Sequence, residues 1–124
     1  MTTDVEPRSR LPSDQATPHL EAELERARAA VDWQKAVEVL SSLIAQARAA
    51  PRDPAAEYGW RSEREQCYER LALIGPQFQD IEAMVALADE LDDGVRRVHA
   101  ACRRMAVLLQ LGRIDEVRAA LDSL

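Results

Sequence analysis

His99 and Cys102 stand three positions apart, a spacing that brings two metal ligands to one face of a helix. A zinc ion needs about four such ligands in tetrahedral array. The other candidates, Cys67 and His19, have no spacing that brings them in, so no metal site is expected. Nucleophilic catalysis by cysteine needs the thiol in contact with a base and a third group to orient that base. Cys67 instead falls on an apolar stripe with Leu71 and Ile74, where a thiol is inert packing. Adjacent carboxylates such as Glu63 and Glu65, or Asp92 and Asp93, read as solvated surface, and no glycine-rich loop follows a strand to cradle a phosphate. No cofactor is expected, and the chain reads as a non-enzyme.

One cationic pattern remains. Arg96, Arg97, Arg103 and Arg104 form pairs seven positions apart on a single helical segment. Guanidinium groups hold carboxylates through charge-assisted bonds, which suits an acidic or C-terminal carboxylate of a peptide. The competing reading is a solvated face neutralised by acids such as Glu90, Asp92 and Asp93.

The 124 residues suffice for about one domain. Of these, 21 are Ala and only five are aromatic (2 Trp, 2 Tyr, 1 Phe), so the core must be built from small and aliphatic side chains. Alanine has the highest helix propensity and β-branched residues are sparse, which points to an all-α protein. The formal charge of −6, from 22 acidic and 16 basic residues, offers no overall attraction to a phosphate backbone or an anionic leaflet. Neither nucleic acid nor membrane is expected as a partner. Lys35 is the sole lysine and the other 15 cations are arginines, as codon bias or selection for bidentate anion binding would each produce. Asp4 and Glu6 occupy positions where a secretory leader carries positive charge, and no apolar run approaches the roughly 18 residues that span a bilayer. A cytoplasmic protein with two thiols is the expectation.

Residues 1–17 hold Pro7, Pro12, several Ser and Thr and no periodic apolar stripe, and read as a disordered leader. Thr17 followed by Pro18 then makes a helix start, and a single helical domain is expected over 18–124. Apolar spacings of three and four mark six helices. The first carries Leu20, Leu24, Ala27 and Val31; the second, opened by Asp32, carries Trp33, Ala36, Val37, Leu40, Leu43, Ile44 and Ala47. Asp53 with Pro54 caps a long third helix reaching Ile74, although Ser62 with Glu65 offers a rival capping-box start. Gly75 and Pro76 are expected to end it. A fourth helix follows with Phe78, Ile81, Met84, Val85, Ala88 and Leu91. The fifth has Val95, Val98, Cys102, Met105 and Leu109 on its stripe, widened by Leu108, and the sixth has Ile114, Val117, Leu121 and Leu124.

The even-numbered helices open alike. Trp33, Phe78 and Ile114 each follow a short turn and precede two polar residues, an apolar one three positions on (Ala36, Ile81, Val117) and another four later (Leu40, Val85, Leu121), at offsets of 45 and 36 residues. The pattern resembles the tetratricopeptide repeat family, most closely over Asp32–Leu40 and Leu111–Val117. It departs from the family in lacking the Trp, Leu and Gly triplet of the first helix, in the middle turn Gly75-Pro76-Gln77, and in having Ile81 and Val117 where Ala is usual. The resemblance implies a right-handed stack of about three antiparallel helical hairpins, at about 18–50, 54–91 and 95–124, with a closed up-down bundle as the rival architecture.

A single hairpin cannot cover its own apolar face, so neighbours must share it. The function expected of such a stack is a protein-interaction module that binds a peptide or helix of a partner in its groove. The candidate contact residues are Arg96, Arg97, His99, Arg103, Arg104 and Leu109, and the family register turns His99, Cys102, Ala106 and Leu109 toward that groove. The alternatives are a structural or oligomerising segment of a bacterial regulator and a small acidic chaperone for a client protein. Leu121 and Leu124 leave the last helix without a polar outer face, which a dimer contact, a partner peptide or further chain would cover.

Overall fold

The computed structural model describes residues 13–123, with the side chains of 17–123. It is all-α, with six helices: α1 (Ser13–Ala29), α2 (Trp33–Arg48), α3 (Pro54–Arg70), α4 (Ile74–Glu90), α5 (Gly94–Gln110) and α6 (Ile114–Asp122). The leader expected over 1–17 falls outside the described residues as far as residue 12, whereas 13–17 belong to α1 and place Pro18 inside that helix. Pro18 is the sixth residue of α1, so its missing N–H removes one helix bond to the carbonyl four residues back near the start of the helix. No helix among the described residues is long and apolar enough to cross a membrane.

Local chemistry accounts for most of the boundaries. Asp32 and Asp53 cap α2 and α3 as expected, each carboxylate accepting a bond from the backbone N–H three residues on, Lys35 and Ala56. Asp93 does the same for α5 through the Arg96 N–H. Four of the five connections share one form. The residues Val31, Ala72, Asp92 and Gly112 all have positive φ (54°, 60°, 50° and 74°). In each turn that residue's N–H bonds back three residues, and the next N–H reaches back five, as Leu73 does to the Tyr68 carbonyl at 2.9 Å. This double bond pattern satisfies the last carbonyls of the helix and turns the chain back on itself.

The third of the expected boundaries needs correction. Helix α3 stops at Arg70 and not at Ile74, and the left-handed residue that ends it is Ala72. Gly75 and Pro76 sit in the first turn of α4, where the missing proline N–H has no helical partner to lose. Helices therefore begin at 13, 33, 54, 74, 94 and 114, a step of 20 residues everywhere except 21 across the α2–α3 connection. Trp33 is equivalent to Ile74 and Ile114, and Phe78 lies one turn further in, so the expected offsets of 45 and 36 residues become 41 and 40.

Backbones approach closely only between sequence neighbours, and α1 and α6 do not touch. Side chains also join next-but-one helices: Arg28 of α1 pairs with Glu63 of α3, and Arg103 of α5 with Glu65 of α3. The odd and even helices accordingly form two layers of an open stack of hairpins, with no closure around a common axis. The first apolar cluster joins Leu24 and Ala27 to Ala36, Val39, Leu40, Leu43 and Cys67; the second joins Tyr58 to Ile81, Met84, Leu87, Ala88, Ala100 and Val107. Alanines at the helix crossings (Ala27, Ala36, Ala47, Ala88 and Ala100, all buried) let neighbouring helices approach closely.

Candidate partner-binding surface

The four arginines of α5 divide between its two flanks. Arg96 and Arg103, with His99, turn toward α3; Arg97 and Arg104 turn toward α4 and α6. Arg96 pairs with its own cap Asp93 at 2.6 Å and lies over the Tyr58 ring at 5.4 Å. The Tyr58 hydroxyl donates to the Arg96 carbonyl at 3.1 Å and meets His99 Nδ1 at 2.7 Å. Burial raises the Tyr58 phenol above its ordinary range, partly offset by the Arg96 charge. Arg97 binds Asp89 and Asp92, both at 2.9 Å. Arg104 binds Glu82 at 3.1 Å and, together with Arg113, flanks the Phe78 ring.

Arg103 makes the strongest of these pairs. Its guanidinium donates to both oxygens of Glu65, at 2.6 and 2.9 Å, and to Glu69 at 3.1 Å, and the bond to Glu65 raises its pKa. Glu65 is fully buried and also accepts from the Gln77 amide at 2.9 Å. Asp80 of α4 is 1 % exposed and takes three bonds from Arg61 and Arg64 of α3. Arg61 bonds the buried Glu57, and Arg64 reaches Ser41 on α2. Helix α3 is thus held to its neighbours partly by charge, beside the apolar contacts of Tyr58, Trp60 and Cys67. Buried carboxylates are tolerated only with such partners, because desolvation of an unpaired one is far more costly.

Reading Glu63, Glu65, Asp92 and Asp93 as solvated surface holds for Asp92 but fails for Glu65, which is buried, while Glu63 and Asp93 are half-buried and pair with Arg28 and Arg96; it says nothing of the buried Glu57 and Asp80. Their partners lie between four and 38 residues away, beyond what adjacency reveals. The arginine enrichment has an internal use. Guanidinium groups stack on Trp33, Tyr58, Tyr68 and Phe78, and fork onto Asp80, Glu65 and Glu90. A lysine can do neither as well.

The stripe expected along α5 is turned outward. Ala100, Val107 and Leu108 are the buried residues of this helix, whereas Val95, Val98 and Leu109 are 81 %, 54 % and 55 % exposed. Cys102 is exposed, not a core thiol, while Cys67 is buried and its thiol is pushed up by desolvation. Cys102, Ala106 and Leu109 face solvent, and His99 is exposed although its ring is turned onto Tyr58 of α3.

Two of the clefts lie between next-but-one helices of a single layer. One, of about 510 Å³, lies between α1 and α3, with Leu43 and Ala47 of α2 in its floor, Ala56 and Trp60 on its α3 wall, and Thr17, Glu21, Gln46 and Asp53 at its rim. The other, of about 350 Å³, lies between α4 and α6 over α5 and brings Arg97 and Arg104 together with Glu82 and Asp89. Of the candidate contact residues, then, Arg97 and Arg104 share a cleft, Arg96, His99 and Arg103 line the joint with α3, and Leu109 stands on the outer face. No family model, no curated protein and no solved structure matches the chain.

Proposed function

We propose that this protein is a non-enzymatic, cytoplasmic interaction module of the tetratricopeptide-like kind, which takes a segment of a partner protein across its odd-numbered helices. The observation that carries the reading is the cleft between α1 and α3. Its volume of about 510 Å³ lies in the range of sites that hold a ligand side chain or two. Its composition, an apolar floor and aromatic wall inside a polar rim, is that of a recognition pocket. The unit of 40 to 41 residues is longer than the family's 34, so the likeness rests on stacked hairpins and not on repeat length.

The arginines of α5 contribute less to this reading than their spacing implies, because each already holds a carboxylate of this chain. A partner carboxylate would have to displace one. The cleft needs no such exchange, and an apolar side chain entering it displaces only water. Selection from a displayed random-peptide library tests the reading. The expected result is a set of peptides sharing one large apolar residue, bound with Kd near micromolar, quenching or shifting Trp60 fluorescence, and weakened at least about 10-fold by Ala56→Arg, which fills the mouth. Peptides whose affinity ignores Ala56→Arg, or a selection that enriches none, would overturn it.

A further inference from the structure

The 20-residue step makes positions on successive helices comparable, and it separates the two joints of the odd layer. Arg28 of α1 is equivalent to Glu69 of α3, and Glu63 of α3 to Arg103 of α5. The pair Arg28–Glu63 therefore recurs as Glu69–Arg103 with its charges exchanged, which fixes the register of both joints. In the α3–α5 joint that register brings together Tyr58, Arg96 and His99. The Tyr58 ring lies under the Arg96 guanidinium at 5.4 Å, its hydroxyl meets His99 at 2.7 Å, and it belongs to one apolar cluster with Met84, Leu87 and Ala88 of α4. The equivalent residues of the α1–α3 joint are Thr17, Ala56 and Gly59, so a phenol, a guanidinium and an imidazole are all missing there. The cleft of about 510 Å³ opens at this place, lined by Thr17 and Ale56 and by Leu43, Gln46 and Ala47, the counterparts of Met84, Leu87 and Ala88. Trp60, in the place of Ala100, restores part of the lost volume from the α3 wall.

The helix caps carry the same comparison to charge. Asp93 accepts the Arg96 backbone N–H on Oδ1 at 3.0 Å and the Arg96 guanidinium on Oδ2 at 2.6 Å. Its counterpart Asp53 accepts the Ala56 N–H on Oδ1 at 3.1 Å, but alanine has no side chain that reaches Oδ2. Glu21 stands on the α1 rim of the same cleft. Among the described residues neither carboxylate has a cation: Arg52, next to Asp53 in sequence, is turned onto Glu90, and Arg28, further along α1 than Glu21, onto Glu25 and Glu63. An aromatic-walled interior thus adjoins two unpaired carboxylates, on a chain of net charge −6 that attracts a cationic segment before contact. An anionic or purely aliphatic segment would leave Asp53 without the partner that Asp93 has.

We infer that the partner segment seated in the α1–α3 cleft presents an aromatic side chain together with an arginine: the ring takes the position that Tyr58 holds in the next joint, and the guanidinium bonds Asp53 as Arg96 bonds Asp93, with Glu21 as a second acceptor at the rim. Arginine suits the place better than lysine, because a planar guanidinium forks onto a carboxylate and stacks on a ring, the two things Arg96 does at once. This partner chemistry rests on the cleft being the recognition site, as proposed above.

Peptides selected from a displayed random library on the full chain, then synthesised with arginine and with its uncharged isostere citrulline, test this directly. The selected peptides are expected to carry Tyr, Phe or Trp together with Arg. Citrulline should weaken them about 10-fold against the wild-type chain and less than about 2-fold against the double variant Glu21→Gln with Asp53→Asn, where the charges are already gone. Asp53→Asn keeps a capping oxygen, so the helical circular dichroism spectrum should be retained. Thr17→Tyr fills the ring position from within the chain and should weaken the same peptides at least about 10-fold. Peptides that lack a cation, that lose as much to citrulline on the double variant as on the wild type, or that ignore Thr17→Tyr, while still losing affinity to Ala56→Arg, would overturn the inference and leave the apolar cleft standing as the recognition site. Peptides that ignore Ala56→Arg as well, or a selection that enriches none, would overturn both.

Discussion

The Arg103 guanidinium on α5 donates to both oxygens of Glu65 on α3, a carboxylate with no exposed surface, at 2.6 and 2.9 Å. The pair joins two helices of the odd layer that are not neighbours in sequence. Removing the arginine leaves a buried charge held only by the Gln77 amide. Arg103→Met is therefore expected to destabilise the fold by about 3–5 kcal/mol, read as a fall in the urea midpoint at constant slope. The double variant Glu65→Met with Arg103→Met should recover most of that loss, since an apolar pair of similar volume avoids the desolvation.

Arg97, six residues away on the same helix, gives the contrast. Its partners Asp89 and Asp92 are 66 % and 90 % exposed, and its own side chain is 43 % exposed. Solvent and salt screen such pairs. Arg97→Ala should leave the midpoint of the same urea titration nearly unchanged. A loss comparable to that of Arg103→Met would show that α5 is docked differently from the way described.

Val31 holds a left-handed conformation, with φ of 54°, and is 64 % exposed. A β-branched residue is strained there and buries little in return. Val31→Gly is expected to raise stability by about 1 kcal/mol, measured as an increase in Tm, because the gain in the turn exceeds the added freedom of the unfolded chain. Equal or lower Tm would mean that the turn is not left-handed.

The Asp93 carboxyl is held below the usual carboxylate range, first by the bond from the Arg96 backbone N–H and then by the Arg96 side chain. Because the folded value is the lower one, the stability this group supplies is present above the unfolded carboxyl range and is lost as pH falls through the folded value. Asp93→Asn keeps a capping oxygen but cannot ionise. The wild type should be the more stable at pH 6, and the difference should disappear as urea midpoints are followed down toward pH 2. A difference independent of pH would assign the Asp93 contribution to the cap bond alone.

What the sequence disclosed follows from how local each determinant is. Asp32 and Asp53-Pro54 could be recognised as helix starts because a cap is a bond across three residues. The α3–α4 turn was hidden because Ala72 carries no mark of a left-handed conformation, whereas Gly75 carries one it does not use. The α5 stripe was visible in spacing, but spacing does not say whether a neighbour covers it, and Val98 is exposed because the described residues supply no further helix. The polar layer of Glu57, Glu65 and Asp80 was least legible, since a buried carboxylate looks like a surface one until its arginine is placed. One signal was present: α3 has the fewest apolar residues of the two central helices yet must pack on both sides, so charge had to do part of that packing.

The whole account depends on the stack being open, with α1 and α6 at its two ends. Spin labels at Ala29→Cys and Ala119→Cys, both exposed positions, in a Cys67→Ala, Cys102→Ser background diluted into unlabelled chain, measure that separation by pulsed electron resonance. Successive hairpins advance by about the 8–10 Å of helix packing, so a distance above about 20 Å is expected. A distribution centred near one helix spacing, about 10 Å, would place α1 against α6 in a closed bundle and contradict the open stack.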